Sequence, residues 1–123
     1  MSGVCIITKD LPRLSASCCE ALQAQPEGDD RFTRIACDGA ALSLFALDGM
    51  EAMVPGSMDG AGTGCYTLEV EVDDPDAHFA RLSSLGYRAL KPPTTQPWGR
   101  RSTWFRDPDN NIVNFYSNLG ARA

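Results

Sequence analysis

Two carboxylates stand two residues apart in Thr67-Leu68-Glu69-Val70-Glu71-Val72. In an extended strand alternate side chains share a face, so Leu68, Val70 and Val72 are expected to pack inward while Thr67, Glu69 and Glu71 point the other way. The same alternation in the 112–117 segment sets Val113 and Phe115 inward and leaves Ile112, Asn114 and Tyr116 together on the opposite face. In the 40–47 segment it makes Leu42 and Leu44 core and turns Ser43 and Phe45 outward. A carboxylate held in an apolar enclosure has its pKa raised and can serve as a general base. A carboxylate beside aromatic rings can instead draw a flat cation by stacking, cation–π attraction and ion pairing. Arg100, Arg101 and Arg106 could neutralise the two glutamates or receive an anionic ligand.

Other chemistries have little material. The chain has one histidine, His78, on a segment with helical spacing, where it reads as a surface helix residue. Its five cysteines include no C-x-x-C pair, so a thiolate zinc site is not expected. Cys5, Cys37 and Cys65 fall on predicted strands, and no second histidine is available to activate a thiol. They read as small apolar residues, and the adjacent Cys18 and Cys19 straddle the buried edge of a helix. An odd cysteine count argues against a disulfide framework, and no basic segment followed by an apolar block opens the chain, which points to a reducing, cytoplasmic setting. The net charge is −5 with no run of Lys or Arg, so nucleic acid is not an expected partner. No apolar stretch is long enough to span a bilayer, so neither is a membrane.

The elements that must position these residues come in two similar halves. At 123 residues and 43% hydrophobic content the chain suits one domain, 1–123, with one substantial core. Val4 to Thr8 is β-rich and ends near Asp10, a helix cap with Pro12 in the first turn. Leu11, Leu14, Cys18 and Leu22 follow at helical spacing. Tyr66 to Val72 repeats the strand, Asp74 repeats the cap and Pro75 opens the second helix. Phe79, Leu82 and Leu85 make its stripe, and Gly86 ends it. Each half closes with a hairpin: Phe32 to Cys37 and Ala40 to Leu47 around Asp38-Gly39, then Ser102 to Arg106 and Ile112 to Ser117 around Asp107-Pro108-Asp109-Asn110-Asn111. Pro108 presets one turn dihedral, and Asn110 or Asn111 can take the left-handed conformation. Aligning Asp38 with Asp109 sets Ser43 opposite Asn114. The halves cover about 3–47 and 65–117. Residues 48–64, with Met50, Met53 and Met58, read as a loop with one helical turn, the kind of long loop that is functional or mobile. Lys91 to Gly99, with three prolines and Trp98, reads as irregular.

Val70-Glu71-Val72-Asp73-Asp74, the Leu85-Gly86 helix end, Pro97-Trp98-Gly99 and the Asp-Pro-Asp hairpin, in this order and spacing, resemble the glyoxalase/bleomycin-resistance/extradiol-dioxygenase superfamily, also called the vicinal oxygen chelate fold. The resemblance spans roughly residues 3 to 117. It implies an α+β fold of two βαβββ modules forming a curved mixed sheet with a concave cavity, in a homodimer. Comparison with resistance members of the superfamily places Ser102 and Trp104 in the cavity lining. The resemblance also carries four metal-ligand positions onto Gly3, Ser43, Thr67 and Asn114, the last being where metal-dependent members carry glutamate. These four residues offer no imidazole and no carboxylate, the donors a divalent ion requires. No metal and no cofactor is therefore expected.

The expected site is Phe45, Glu69, Glu71, Trp98, Ser102, Trp104, Asn114 and Tyr116, with Met53 on a flexible cover. The leading expectation is a metal-free protein of the bleomycin-resistance type that sequesters a small aromatic molecule, cationic where Glu69 and Glu71 take part, with no catalytic residue. Antibiotic resistance enters only through the resemblance. The alternatives are a glyoxalase-type lyase or isomerase with an altered metal site and Glu69 or Glu71 as base, and an interaction module whose concave face is filled by its own loop.

Overall fold

The computed structural model describes residues 3–37, 39–62 and 67–119. The chain divides into two compact units, Met1–Gly62 and Thr63–Ala123. Asp38, Cys65 and Tyr66 lie outside the described residues, so the Asp38-Gly39 turn and the first residue of the predicted Tyr66 strand are placed only in part.

In the first unit, β1 (Gly3–Thr8) runs into α1 (Leu11–Leu22), followed by β2 (Pro26–Gly28), β3 (Phe32–Cys37), β4 (Ala40–Ala46) and α2 (Leu47–Met53). The sheet order is β1-β4-β3-β2, with β1 parallel to β4 and the other pairs antiparallel. Asp10 caps α1 as its position suggests: its side chain accepts from the Arg13 backbone N–H at 3.2 Å, satisfying one of the donors a helix start leaves unpaired. The α1 stripe buries Leu11, Leu14 and Cys18, and the strands supply Ile6, Ile35, Leu42 and Leu44 to the same aliphatic core. The helical turn expected within 48–64 is a seven-residue helix, Leu47–Met53, which also takes in Leu47, expected to end the strand before it. Gly49 is buried there, and a Cβ on it would meet the Phe45 ring at 2.8 Å, so only glycine lets the helix lie this close to β4.

The second unit repeats the plan: β5 (Thr67–Glu71), α3 (Pro75–Ser84), β6 (Arg88–Thr95), β7 (Arg100–Arg106) and β8 (Ile112–Asn118), in sheet order β5-β8-β7-β6. Asp74 caps α3 by accepting from the Ala77 N–H at 3.1 Å, with Pro75 as the first helical residue. The correspondence is close: Gly3 and Thr67 open parallel strands paired to β4 and β8, each seven residues before its capping aspartate. The fold is thus α+β, with two βαβββ modules. Leu85 does not join the helical stripe: it sits at the helix C-cap and is 48% exposed.

Lys91–Thr95, expected to be irregular, belongs to β6. Pro92 and Pro93 cannot donate to a ladder, and the strand accommodates them by lying at the sheet edge with register shifts on both sides of Lys91.

The core of this unit is aromatic. Phe105 and Phe115 pack edge to face at 6.2 Å, Phe79 of α3 tilts over Phe105 at 6.0 Å, and the His78 ring stacks on Phe115 at 5.3 Å and 14°. His78 is therefore a packing residue between α3 and β8 rather than a surface one. Desolvation, followed by the positive charge of Arg81, lowers its pKa from the ordinary value, with Asp74 opposing. A lowered folded-state pKa means the neutral ring is favoured by the fold. Stability is then complete above the unfolded-state pKa of about 6.5 and is lost as the pH falls below it. The melting temperature is expected to drop between pH 7 and 5, and His78→Phe, which keeps the stack, should flatten that window relative to the unmodified chain. An unchanged slope would show that His78 does not carry the effect.

The β7–β8 turn resolves the choice left open by its sequence. Asn110 takes the left-handed conformation at φ 69°, and its side chain accepts from Arg88 at 2.8 Å. Asn111 is buried, and the Asp107 carboxylate collects the N–H groups of Asp109 and Asn111 and the Asn111 side-chain amide. Burial nonetheless raises the Asp107 pKa, with these hydrogen bonds opposing. Asn110→Ala should cost about 1 kcal/mol from the left-handed strain, whereas Asn110→Gly should stay within about 0.5 kcal/mol of the parent in chemical denaturation.

Candidate functional site

The face of the second sheet turned away from α3 carries most of the expected site residues. Phe105 and Phe115 contact α3, so alternation sends Trp104, Asn114 and Tyr116 to the other side. The ladder aligns Glu69, Asn114, Trp104 and Lys91 in one row across four strands. Glu71, Tyr116, Ser102 and Thr94 form the next. The sequence thus brings Glu69, Glu71, Ser102, Trp104, Asn114 and Tyr116 onto one surface. Ser102 and Asn114 are buried, Trp104 and Tyr116 half-buried, and Glu69 and Glu71 exposed.

The polar groups on this face are largely engaged with one another. The Arg100 guanidinium lies 3.8 Å from the centre of the Tyr116 ring and reaches Glu69 at 3.4 Å. Asn118 donates to Glu71 at 3.1 Å and accepts a long 3.4 Å contact from Arg100. Lys91 places its ammonium 5.7 Å from the Trp104 ring centre. Trp104 and Tyr116 therefore each already have a cation of the chain beside them, an arrangement worth about 0.5–1 kcal/mol at such sites. The glutamates that motivated a cationic ligand are engaged by Arg100 and Asn118. Both glutamates are exposed. Arg101 serves the opposite face, where it forms a two-point ion pair with Asp76 at 2.7 and 2.8 Å that ties β7 to the start of α3. That pair lowers the Asp76 pKa.

Lys91 is the residue sequence reasoning missed. Its signal was hidden by the prolines that follow it, which made the strand read as irregular. The remaining expected residues are not on the strands of this sheet. Trp98 is 70% exposed in the turn between β6 and β7. Phe45 and Met53 belong to the first unit. Phe45 packs edge-on against Phe32 and over Gly49, and Met53 ends α2 at 65% exposure. The segment after Met53 is a series of turns held by Glu51, whose carboxylate accepts from the N–H groups of Gly56 and Met58 at 2.9 and 2.8 Å. The first unit also has a depression of about 340 Å³ at the start of α1, lined by Lys9, Asp10, Asp30 and Asp48 among others and by no aromatic ring.

The four residues at the superfamily's metal-ligand positions lack the donors that suit a divalent ion. Gly3, Ser43, Thr67 and Asn114 supply two hydroxyls and one amide, far weaker donors than imidazole or carboxylate. A side chain at position 3 is also sterically barred, since a Cβ there would lie 2.5 Å from the Ala41 carbonyl oxygen. Among the described residues no three His, Cys, Asp or Glu side chains come together as a metal cluster.

The fold has close counterparts among known proteins. A glyoxalase/bleomycin resistance protein/dioxygenase family enzyme from Burkholderia phytofirmans PsJN superposes with a TM-score of 0.85 at 18% identity, covering 96% of this chain and 98% of that one. Lactoylglutathione lyase from Agrobacterium tumefaciens superposes with a TM-score of 0.77 at 19% identity, covering 95% and 92%. At such identities the likeness is one of fold. The uncharacterized protein YraH of Bacillus subtilis (strain 168) is 31% identical over 64 residues, 51% of this chain and 50% of that protein, so the match spans about half the length of this curated relative. The model of the Glyoxalase/Bleomycin resistance protein/Dioxygenase superfamily matches residues 4–115, and the chain belongs to that superfamily.

Proposed function

We propose that the protein is a metal-free binding protein of the bleomycin-resistance type that takes up a flat aromatic molecule on the Trp104–Tyr116 face. The observation that carries this reading is the placement of two half-buried aromatic rings beside buried Ser102 and Asn114, on the face of a sheet where Thr67 and Asn114 stand at the superfamily's metal-ligand positions without imidazole or carboxylate. Binding comes from removing flat apolar surface from water, at about 25 cal/mol per Å², with the strands holding the rings in place before the ligand arrives. The two basic side chains beside the rings balance Glu69 and Glu71, so net positive charge on the ligand is not required. In this reading the functional unit is a symmetric homodimer, the commonest soluble assembly.

The test is a thermal-shift screen paired with tryptophan fluorescence. The chain has two tryptophans, so a Trp98→Phe variant leaves Trp104 as the sole reporter. A planar aromatic compound at a hundredfold excess over its Kd should add about 2.7 kcal/mol to stability and change the Trp104 emission. Ni²⁺, Zn²⁺ and Mn²⁺ should do neither. A clear rise with a divalent ion would overturn the reading and put a glyoxalase-type enzyme in its place. Sedimentation that returned a monomer at working concentration would remove the dimer.

A further inference from the structure

One polar atom on the proposed face has no partner. Asn114 is 6% exposed, and its Oδ1 is buried without a hydrogen bond. A buried acceptor with nothing to accept from is unfavourable, and folded proteins retain few of them. The basic side chains on its own face are engaged elsewhere. Arg100 is committed to Glu69, Asn118 and the Tyr116 ring, Arg106 donates to the Asn110 carbonyl oxygen, and Lys91 lies over Trp104. The orphan stands in a built setting: its direct strand neighbours are Glu69 on one side and Trp104 on the other, and Tyr116 follows two residues along the same strand.

We infer that Asn114 is a specificity residue whose Oδ1 accepts a hydrogen bond from an N–H or O–H on the edge of the bound aromatic ring. This rests on the aromatic-binding reading above and narrows it. The ligand is an aromatic compound with a phenolic O–H or a ring N–H, and its alkylated analogue is rejected. The chemistry follows from the atom. A neutral amide oxygen is a poor ligand for a divalent cation and a good acceptor for a neutral donor, so the position that would serve a metal serves a hydrogen bond. A ring stacked against Trp104 brings its edge to the neighbouring strand, where Asn114 lies in register. Discrimination should be strong because a ligand without the donor leaves the acceptor buried and unpaired, whereas one with the donor satisfies it.

The experiment uses two probes that differ only at the donor, 2-naphthol and 2-methoxynaphthalene, with the 123-residue chain and its Asn114→Leu, Asn114→Val and Trp104→Ala variants. The parent should bind the naphthol about tenfold or more tightly than the methyl ether. Both Asn114 variants should erase that ratio, chiefly by weakening the naphthol, and Trp104→Ala should weaken both probes alike. Equal affinities in the parent, or a ratio that survives in the Asn114 variants, would overturn the inference and leave the stacking reading standing. A second measurement needs no ligand. If Oδ1 is unpartnered, removing it should raise the melting temperature of the ligand-free protein by roughly 3–6 °C in at least one of the two variants. A fall in both would show that Asn114 has a structural partner, and the inference would fail. If neither probe binds the parent, the stacking reading falls, and the melting temperatures still decide whether the orphan acceptor is real.

Discussion

Phe115→Ala is expected to destabilise the protein by about 3–5 kcal/mol, a large part of the roughly 5–15 kcal/mol that holds an average domain folded. Phe115 is 1% exposed, and its ring is the meeting point of three elements: His78 of α3 stacks on one face, and Phe105 of β7 meets it edge-on. Phe79 completes the cluster through Phe105. Removing the ring leaves a cavity lined by other rings held on a helix and two strands, which cannot collapse into it easily. The loss should therefore sit at the upper end for an aromatic deletion. The lowered pKa of His78 also depends on this enclosure, because its first cause is desolvation. A cavity that admits water would relieve it, so the variant should lose part of the pH dependence of stability as well as its magnitude. Urea denaturation at pH 7.5 and pH 5.5 reads both effects. A midpoint change of less than about 1 kcal/mol at pH 7.5 would mean that the aromatic cluster is not the core of the second unit.

This cluster also shows which parts of the fold were readable from the chain. Alternation identified Phe115 and Val113 as inward and Asn114 and Tyr116 as outward because β8 is a regular strand with a period of two. Asp10 and Asp74 were readable as caps because a short acidic side chain before a proline-started helix has few other uses. What could not be read was whatever depends on partners distant in sequence. His78 looked like a surface residue because nothing on its own helix reports the Phe115 ring beneath it. Residues 48–53 read as at most one helical turn in a loop because Gly49 weakens local helix propensity, and the reason for a glycine there is the Phe45 ring. Lys91 was hidden in a proline-rich stretch that only the edge position of β6 allows to be a strand. The site divides in the same way. The residue types and their common face were legible in alternation. The pairing of Glu69 with Arg100 and the orphaned oxygen of Asn114 are properties of the assembled sheet.

Trp104→Ala is expected to weaken binding of a flat aromatic ligand by about 2–3 kcal/mol, roughly 30- to 150-fold, while Glu69→Gln changes it by about threefold or less. The contrast follows from burial and pairing. Trp104 is half-buried in the middle of the sheet and offers the largest flat surface on the face, so its loss removes both contact area and the wall that fixes the ligand's plane. The Glu69 side chain is 54% exposed and paired at 3.4 Å with an Arg100 that is itself a third exposed, and exposed pairs of this kind contribute about 0–1 kcal/mol. The two variants also separate binding from catalysis. A lyase or isomerase using Glu69 as its base would lose turnover on Glu69→Gln and keep its affinity, whereas a sequestering protein loses affinity on Trp104→Ala and has no turnover to lose. Lys91→Gln completes the argument, because it removes the chain's own cation from the Trp104 face. With that cation gone the ring's electron-rich face is open, so a cationic aromatic ligand should bind more tightly to Lys91→Gln than to the parent and an anionic one less tightly. Calorimetric titrations of one neutral, one cationic and one anionic naphthalene against the four proteins would show this. Uniform affinities across the set would mean that the Trp104 face is not where the ligand sits.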